Sequence, residues 1–461
     1  MSSSSARRRS LKPATRRAFL ALIAGGAASA LLWRRVFEAA PGIRRFPRLA
    51  MPKPTPRQRA WRDLELGLFI HFGMATFTGR EHDVAPPDTF QPSALDTDQW
   101  IEAACAMGAR YAVLVAKHSD GFLMWQSDAY PYSLRQCRWR DGRGDLVAAF
   151  IASCEKYGVK PGIYASTFLN AYWDVQDPGI VRGGEKERQQ AYNAATETML
   201  RELWTRYGDL AEIWFDSTVL PPERGGPDVV PLIERHQPHA MVMKSRAATI
   251  RISGGETGMV EYPCWSTARR PEAHGGGHPA GTLWLPCECN TPLRDHEWFW
   301  NPGQEHKLHA LDELVRMYGA SVGRNANLLI NANPDRRGLI PDADMERCAR
   351  FGKEIRRRYG RTAASLRGVG GAVELSLPKE MLVNGVVLQE DTSRGERIRE
   401  YVVEGWTHAD VWQPLCKGRS VGHKRIQEFP PVRVGGLRLR CTRTVGRPSM
   451  RAFACYDAER S

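Results

Sequence analysis

Tyr111-Ala112-Val113-Leu114-Val115-Ala116 is apolar from end to end and stops on Lys117-His118. A helical pattern, Thr97 to Met107, precedes it, and another, Asp145 to Tyr157, follows. An apolar run with no polar face suits a strand covered on both sides, the condition of strands in a parallel sheet flanked by helices. The same unit recurs outward along the chain. Leu66 to Phe72, Gly162 to Ser166, Glu212 to Phe215, Met241 to Met243 and Leu328 to Asn331 are strand-length apolar runs, and Glu185 to Tyr207 reads as a long helix. This alternation predicts an α/β fold, a (β/α)8-like barrel over 56–360. The loops after barrel strands line the working face, and His71, Lys117-His118 and Asp216 stand there.

Beyond Arg361 the helical patterns stop. Val373 to Leu377, Met381 to Leu388, Ile398 to Glu404 and Leu437 to Thr442 alternate or run apolar between turns, which predicts a C-terminal β-sandwich domain over 361–461. A length of 461 residues fits one barrel-sized domain plus a smaller one.

The net charge of +14 sits at the front of the chain. Residues 1–60 carry 14 Lys/Arg against the single acid Glu38, leaving 51 basic against 50 acidic residues in the body. With no finger, RNP or basic-helix motif, the charge gives no support to a nucleic-acid partner. In the basic front, Arg16-Arg17 precedes an apolar run that ends at Trp33, and Ala28-Ser29-Ala30 offers a small-residue cleavage site. This resembles a Tat export signal over 1–35, followed by a Pro/Arg-rich linker over 36–55. The sixteen residues from Ala18 to Trp33 are short for a spanning helix. The chain is therefore expected outside the cytoplasm, periplasmic or secreted, touching the membrane only during export or through an uncleaved N-terminal tether. Ten cysteines are too sparse for a disulfide scaffold, and Cys287-x-Cys289 has no second pair at zinc spacing, so no metal is expected. Oligomeric state is open.

Two carboxyls stand out. Asp216 follows Glu212-Ile213-Trp214-Phe215 where a barrel strand breaks into its loop, a position also suited to a turn or N-cap residue. Glu288 lies within Leu283-Trp284-Leu285-Pro286-Cys287-Glu288-Cys289-Asn290. Apolar surroundings raise a carboxyl pKa and suit a general acid; a structural ion pair with Arg294 is the alternative.

Further blocks make the pattern specific: Trp61 with Gly67-Leu68-Phe69-Ile70-His71-Phe72-Gly73, Lys117-His118-Ser119-Asp120-Gly121-Phe122, Glu212 to Asp216, and Asn327-Leu328-Leu329-Ile330-Asn331 with Pro334-Asp335. In this order they resemble the signature blocks of the family 29 α-L-fucosidases. Arg251 to Gly258, Pro286-Cys287-Glu288 and Trp298-Phe299-Trp300 are similar to the branch that cleaves α-1,3 and α-1,4 fucosyl linkages, as are Glu390 to Glu404 and Ser420 to Arg425.

The resemblance implies hydrolysis of fucosylated oligosaccharides or glycoconjugates by a retaining double displacement. Asp216 takes the nucleophile position and Glu288 the acid/base position, with Glu256 as the reserve, the carboxyls lying about 5 to 5.5 Å apart. His71, His118 and Tyr164 match positions that bind fucose hydroxyls. Trp214 and Trp284 are candidates for stacking on the sugar, or for core packing, and Arg251 for steadying a carboxylate. No cofactor is implied. Two departures stand out: Ser119 where the family has a second His, and His82 where it has a Trp. They suggest a wider or wetter pocket, and leave an α-L-galactoside as the rival substrate. A carbohydrate-binding protein without turnover is the rival of a different class.

Overall fold

The structure, a computed structural model, describes residues 44–45, 51–271, 274–407 and 411–457. The export segment and most of the linker lie outside the described residues. Among these residues no helix is long and apolar enough to cross a membrane.

Eight parallel strands form one sheet. They are β1 Leu66–Ile70, β2 Tyr111–Lys117, β3 Lys160–Ala165, β4 Glu212–Trp214, β5 Met241–Val242, β6 Arg251–Ile252, β7 Cys287–Pro292 and β8 Ala326–Asn331. Their hydrogen-bonded order, β5-β4-β3-β2-β1-β8-β7-β6, is that of a sheet curled into a barrel and left without a ladder between its end strands. At that seam the Val242 carbonyl accepts from the Thr249 and Ile250 amides, and no ladder forms.

Helix α1, Pro56–Arg62, precedes β1; α2 Thr97–Met107, α3 Leu146–Tyr157, α4 Lys186–Arg206 and α5 Val230–His236 follow β1 to β4 in turn. Helices α6, Leu311–Ser321, and α7, Asp342–Tyr359, follow β7 and β8. The sequence marks these helices plainly. Asp96 and Asp145 cap α2 and α3 by accepting from first-turn amides, and Gly108 and Gly158 end them with φ of 88° and 69°.

Strand side chains alternate between the two faces. Leu66, Leu68, Ile70, Ala112, Leu114, Ala116, Ile163, Ile213, Leu328 and Ile330 face outward and pack with the helices in one apolar cluster. Phe69, Tyr111, Val113, Val115, Tyr164, Trp214 and Leu329 form a second cluster inside the barrel, with Trp61 of α1. Both faces are buried, which is why the sequence shows unbroken apolar runs. Gly67 owes its identity to this interior: a Cβ there would lie 2.4 Å from the Tyr111 ring.

The C-terminal region holds β9 Ala364–Val369, β10 Ala372–Glu390, β11 Ile398–Trp406, β12 Trp412–Gly418, β13 Arg425–Thr444 and β14 Ser449–Asp457. They pair antiparallel in the order β9-β14-β10-β13-β11-β12 around their own apolar cluster. The long strands β10 and β13 carry register breaks at Ser376/Met381 and Val383/Gly385, which let one continuous sheet bend about its core. This domain meets the barrel at the N-terminal ends of its strands. Glu65, just before β1, accepts from Lys424 and from His423 Nε2, and Arg451 donates to Asp63 at 2.6 Å. Burial alone would raise the Glu65 carboxyl, but the His423 hydrogen bond and the Lys424 ammonium bring it down to about 2.

Gly67→Ala is expected to overpack the Tyr111 ring and cost about 1–3 kcal/mol of stability. Thermal unfolding of the full chain checks this, and an unchanged Tm would contradict the tight Gly67–Tyr111 packing.

Candidate active site

The C-terminal strand ends bring together side chains from loops distant in sequence. His71 follows β1, His118 follows β2, Tyr164 lies on β3, Asp216 follows β4, and Trp298 and Phe299 follow β7. His71 lies 5.8 Å from His118, 6.0 Å from Tyr164, 5.0 Å from Trp298 and 5.3 Å from Phe299, ring centroid to centroid. His118 stacks on Tyr164 at 5.8 Å.

Asp216 accepts from the Tyr164 hydroxyl at 2.8 Å. Burial raises its carboxyl, while the Tyr164 hydrogen bond and the Lys244 ammonium oppose the rise. Glu256 interacts electrostatically with Asp216, and its Oε2 accepts from Trp298 Nε1 at 3.1 Å. Asp216, Lys244 and Glu256, on the loops after β4, β5 and β6, have φ of 28°, 61° and 67°. Left-handed backbone at non-glycine residues is uncommon and costs on the order of 1–3 kcal/mol each, a strain that concentrates where side chains must be aimed.

The imidazoles are held neutral. Burial takes His71 down to about 3, and burial, with the neighbouring His71 and Lys117, takes His118 well below its ordinary value. Lys117 is fully buried and donates to the Ser166 and Leu169 carbonyls, which tie the β2 and β3 loops together.

The two departures prove to be bonded to each other. His82 Nδ1 lies 2.6 Å from Ser119 Oγ, which also donates to the Glu81 carbonyl at 2.8 Å and lies 2.9 Å from His118 Nδ1. Ser119 therefore does not open the pocket as its small size suggested. Its hydroxyl is committed to three partners, and His82 reaches across it to stack beside His118 at 6.4 Å.

Glu288 requires correction. It is the second residue of β7, fully buried inside the barrel, accepting from the Tyr111 hydroxyl at 2.6 Å and Trp214 Nε1 at 3.1 Å. It also contacts Glu212, which accepts from Trp61 Nε1 at 2.9 Å. Glu212 lies four residues before Asp216 on β4, about 13 Å lower at roughly 3.3 Å per residue. Glu288 thus sits at the barrel floor and cannot reach a sugar at the mouth. Glu212 Oε1 has no other partner, so a proton shared with Glu288 satisfies it.

Trp284 and Arg251 are also displaced. Trp284 lines a cavity of about 320 Å³ with Arg59, Asp63, Glu390 and His423 at the opposite end of the barrel. Arg251 is buried and spends its guanidinium on the Leu285, Trp265 and Gly275 carbonyls, where it braces loops. Trp214 stacks under Tyr164 at 5.6 Å with its polar end turned down to Glu288, supporting the mouth from below.

The sequence reading missed Glu81, Lys244 and the roles of Trp298 and Phe299. Burial raises the Glu81 carboxyl, and Asp216 and Glu256 add to the rise despite His82, which places a third acid at the mouth. In the sequence its neighbour His82 stands out only as a departure from the family pattern, and Trp298-Phe299 only as a branch marker. Among the described residues no cluster of metal-ligating side chains occurs.

Interacting carboxyls beside aromatic rings and neutral hydrogen-bonding groups suit cleavage of a bond between sugars, and similarity to known proteins defines the class as glycoside hydrolase. The family model described as Alpha-L-fucosidase matches residues 82–358. The chain belongs to that family, the family 29 α-L-fucosidases. It is 31% identical to a rice (Oryza sativa subsp. japonica) protein provisionally assigned as α-L-fucosidase 1, over 84% of this chain and 82% of that one. It is 28% identical to Alpha-L-fucosidase 1 of Arabidopsis thaliana, over 82% of each. The crystal structure of a Bacteroides thetaiotaomicron protein, provisionally assigned to the same activity, superposes with a TM-score of 0.86 at 39% identity, covering 88% of this chain and all of that one.

Burial pushes both floor carboxyls up, Glu212 well above its ordinary value and Glu288 to about 7. Their folded pKa values are raised, so the stability linked to their protons is complete below the unfolded value of 4.5 and is lost as pH rises through about 7. Glu212→Gln should flatten the fall in Tm between pH 5 and 8 relative to the parent. Parallel Tm–pH curves for the two proteins would remove the shared proton.

Proposed function

We propose that this α-L-fucosidase works by a retaining double displacement in which Asp216 is the nucleophile and Glu256 the acid/base. The observation that carries the reading is the electrostatic interaction of these two carboxyls on the loops after β4 and β6: Asp216 with its Tyr164 donor and nearby Lys244, Glu256 with its Trp298 donor. Tyr164 and Lys244 favour the ionised form of Asp216, which attack requires. In the first step the Asp216 carboxylate bonds to the anomeric carbon as the glycosidic bond breaks, and Glu256 gives its proton to the departing oxygen. In the second step Glu256 takes a proton from water, the water oxygen bonds to the anomeric carbon, and the Asp216 ester bond breaks. Fucose leaves with its original anomeric configuration.

His71 and His118 offer neutral rings to the hydroxyls, Glu81 offers a carboxyl, and Phe299 and Trp298 offer an apolar wall for a 6-deoxy sugar. Occupation of the space beside Ser119 by His82 favours fucose over L-galactose. The sequence blocks shared with the α-1,3/1,4 branch support those linkages. We further propose that Arg16-Arg17 directs export of the folded chain.

Asp216→Ala should abolish release of 4-nitrophenol from 4-nitrophenyl α-L-fucoside. Glu256→Ala should cut turnover of fucosylated oligosaccharides by about 10²–10⁴, but spare the aryl fucoside, whose leaving group needs little protonation. Glu288→Gln should move both substrates by the same factor. A selective loss on oligosaccharides in Glu288→Gln, with Glu256→Ala unaffected, would reverse the assignment. For export, replacing Arg16 and Arg17 by Lys should retain fucosidase activity in the cytoplasmic fraction; an unchanged distribution would refute the signal.

A further inference from the structure

His71 and His118 are each bound through Nδ1, and the partners fix where the ring proton sits. Asn331, the last residue of β8, donates its amide nitrogen to the Trp298 carbonyl at 3.0 Å and to Asn333 Oδ1 at 2.6 Å. Asn333 in turn donates to the Glu297 carbonyl at 2.9 Å. Carbonyl oxygens only accept, so both amides have one allowed orientation, and Asn331 must present Oδ1 to His71 Nδ1 at 2.8 Å. That nitrogen therefore carries the hydrogen. On the other side, Ser119 gives its only proton to the Glu81 carbonyl at 2.8 Å, so it can only accept from His118 Nδ1 at 2.9 Å and from His82 Nδ1 at 2.6 Å. Among the described residues, His71 Nε2 has no hydrogen-bond partner and is not sealed from solvent as the buried unpaired atoms of the core are, while the His118 ring also bonds to the Glu81 backbone.

We infer that Asn331, backed by Asn333, and Ser119 are positioning residues that lock His71 and His118 in the Nδ1–H tautomer, so that the pocket meets the sugar with bare Nε2 lone pairs and recognises only hydroxyls that donate. Asp216 and Glu81 are likewise acceptors when ionised, the Tyr164 proton is already given to Asp216, and the Lys244 ammonium faces Asp216. Burial, which holds both rings neutral, keeps those lone pairs available. The ligand class is thus a pyranose with free hydroxyls at the bound positions. A substituent of similar size that can accept but not donate is refused.

This inference rests on the fucosidase reading for the identity of the sugar, and the tests separate the two. Fluorine accepts weakly and donates nothing, so it distinguishes the two tautomers. Inhibition constants would be measured on the full-length wild-type enzyme for L-fucose and for its deoxy and deoxyfluoro analogues at positions 2, 3 and 4. At no fewer than two of these positions the fluoro and deoxy analogues should bind equally poorly, roughly tenfold or more below L-fucose. Fluoro analogues binding close to L-fucose at every position would overturn the inference. In parallel, nitrogen-15 spectra of histidine-labelled enzyme should show the Nδ1–H pattern for His71 and His118, assigned by the signals lost in His71→Gln and His118→Gln. Asn331→Ala should release His71 toward the Nε2–H form and raise KM more than it lowers kcat. Nε2–H patterns in the wild type would sink the lock whatever the sugar. Failure of L-fucose itself to compete would instead count against the fucosidase reading, while the spectra still decide the tautomers.

Discussion

A strand rises about 3.3 Å per residue and turns every second side chain inward, so each stave of this barrel has few inward positions to divide between structure and chemistry. On β4 and its end the division is plain: Glu212 at the floor, Trp214 in the middle, Asp216 at the rim. On β1 the series is Gly67, Phe69, His71; on β8 it is Asn327, Leu329, Asn331. Floor residues are glycine or polar groups held by Trp61, Arg62 and each other, middle residues are aromatic or branched, and rim residues carry the polar work. Glu288 belongs to the floor by the same counting, four residues before β7 ends at Pro292.

The layers are connected vertically. Glu288 holds the Trp214 indole, Trp214 supports the Tyr164 ring, and Tyr164 donates to Asp216. Burying two carboxyls at the floor is unfavourable unless hydrogen bonds and a shared proton compensate, and the Trp61, Tyr111 and Trp214 donors supply those bonds. At the rim, burial acts the other way on function: it strips the histidines of charge and makes them acceptors, while raising the acids Asp216 and Glu81. One physical cause, loss of water, thus sets both the scaffold and the electrostatics of the mouth.

Much of the fold was readable because its signals are local. Helical patterns gave α2 and α3, and β1 to β5 and β8 appeared as unbroken hydrophobic stretches. β6 and β7 were harder. Arg251–Ile252 is too short to show a pattern, and β7 reads Cys-Glu-Cys-Asn-Thr-Pro, polar residues buried by partners far away in sequence. That is also why the depth of Glu288 is not legible in the sequence. The apolar run that seemed to surround it, Leu283 to Pro286, lies before the strand rather than in it, and places Glu288 near the entry to β7. Asp216 was legible because the strand before it is apolar and ends on it. The Asn331–His71 relay could not be read, since nothing in one chain segment states which way an amide faces.

The seam between β5 and β6 carries a mechanical meaning. Asp216 and Lys244 stand on one lip of it and Glu256 on the other, so the shortest path between the two carboxyls crosses the one place where neighbouring staves share no ladder. A closed hoop distributes any deformation around its circumference. A hoop whose ends are joined only through Val242 has fewer backbone ties there than around the rest of its circumference. The separation of Asp216 and Glu256 is therefore spanned by fewer backbone hydrogen bonds than the aromatic and histidine side of the mouth, which stands on the fully bonded arc.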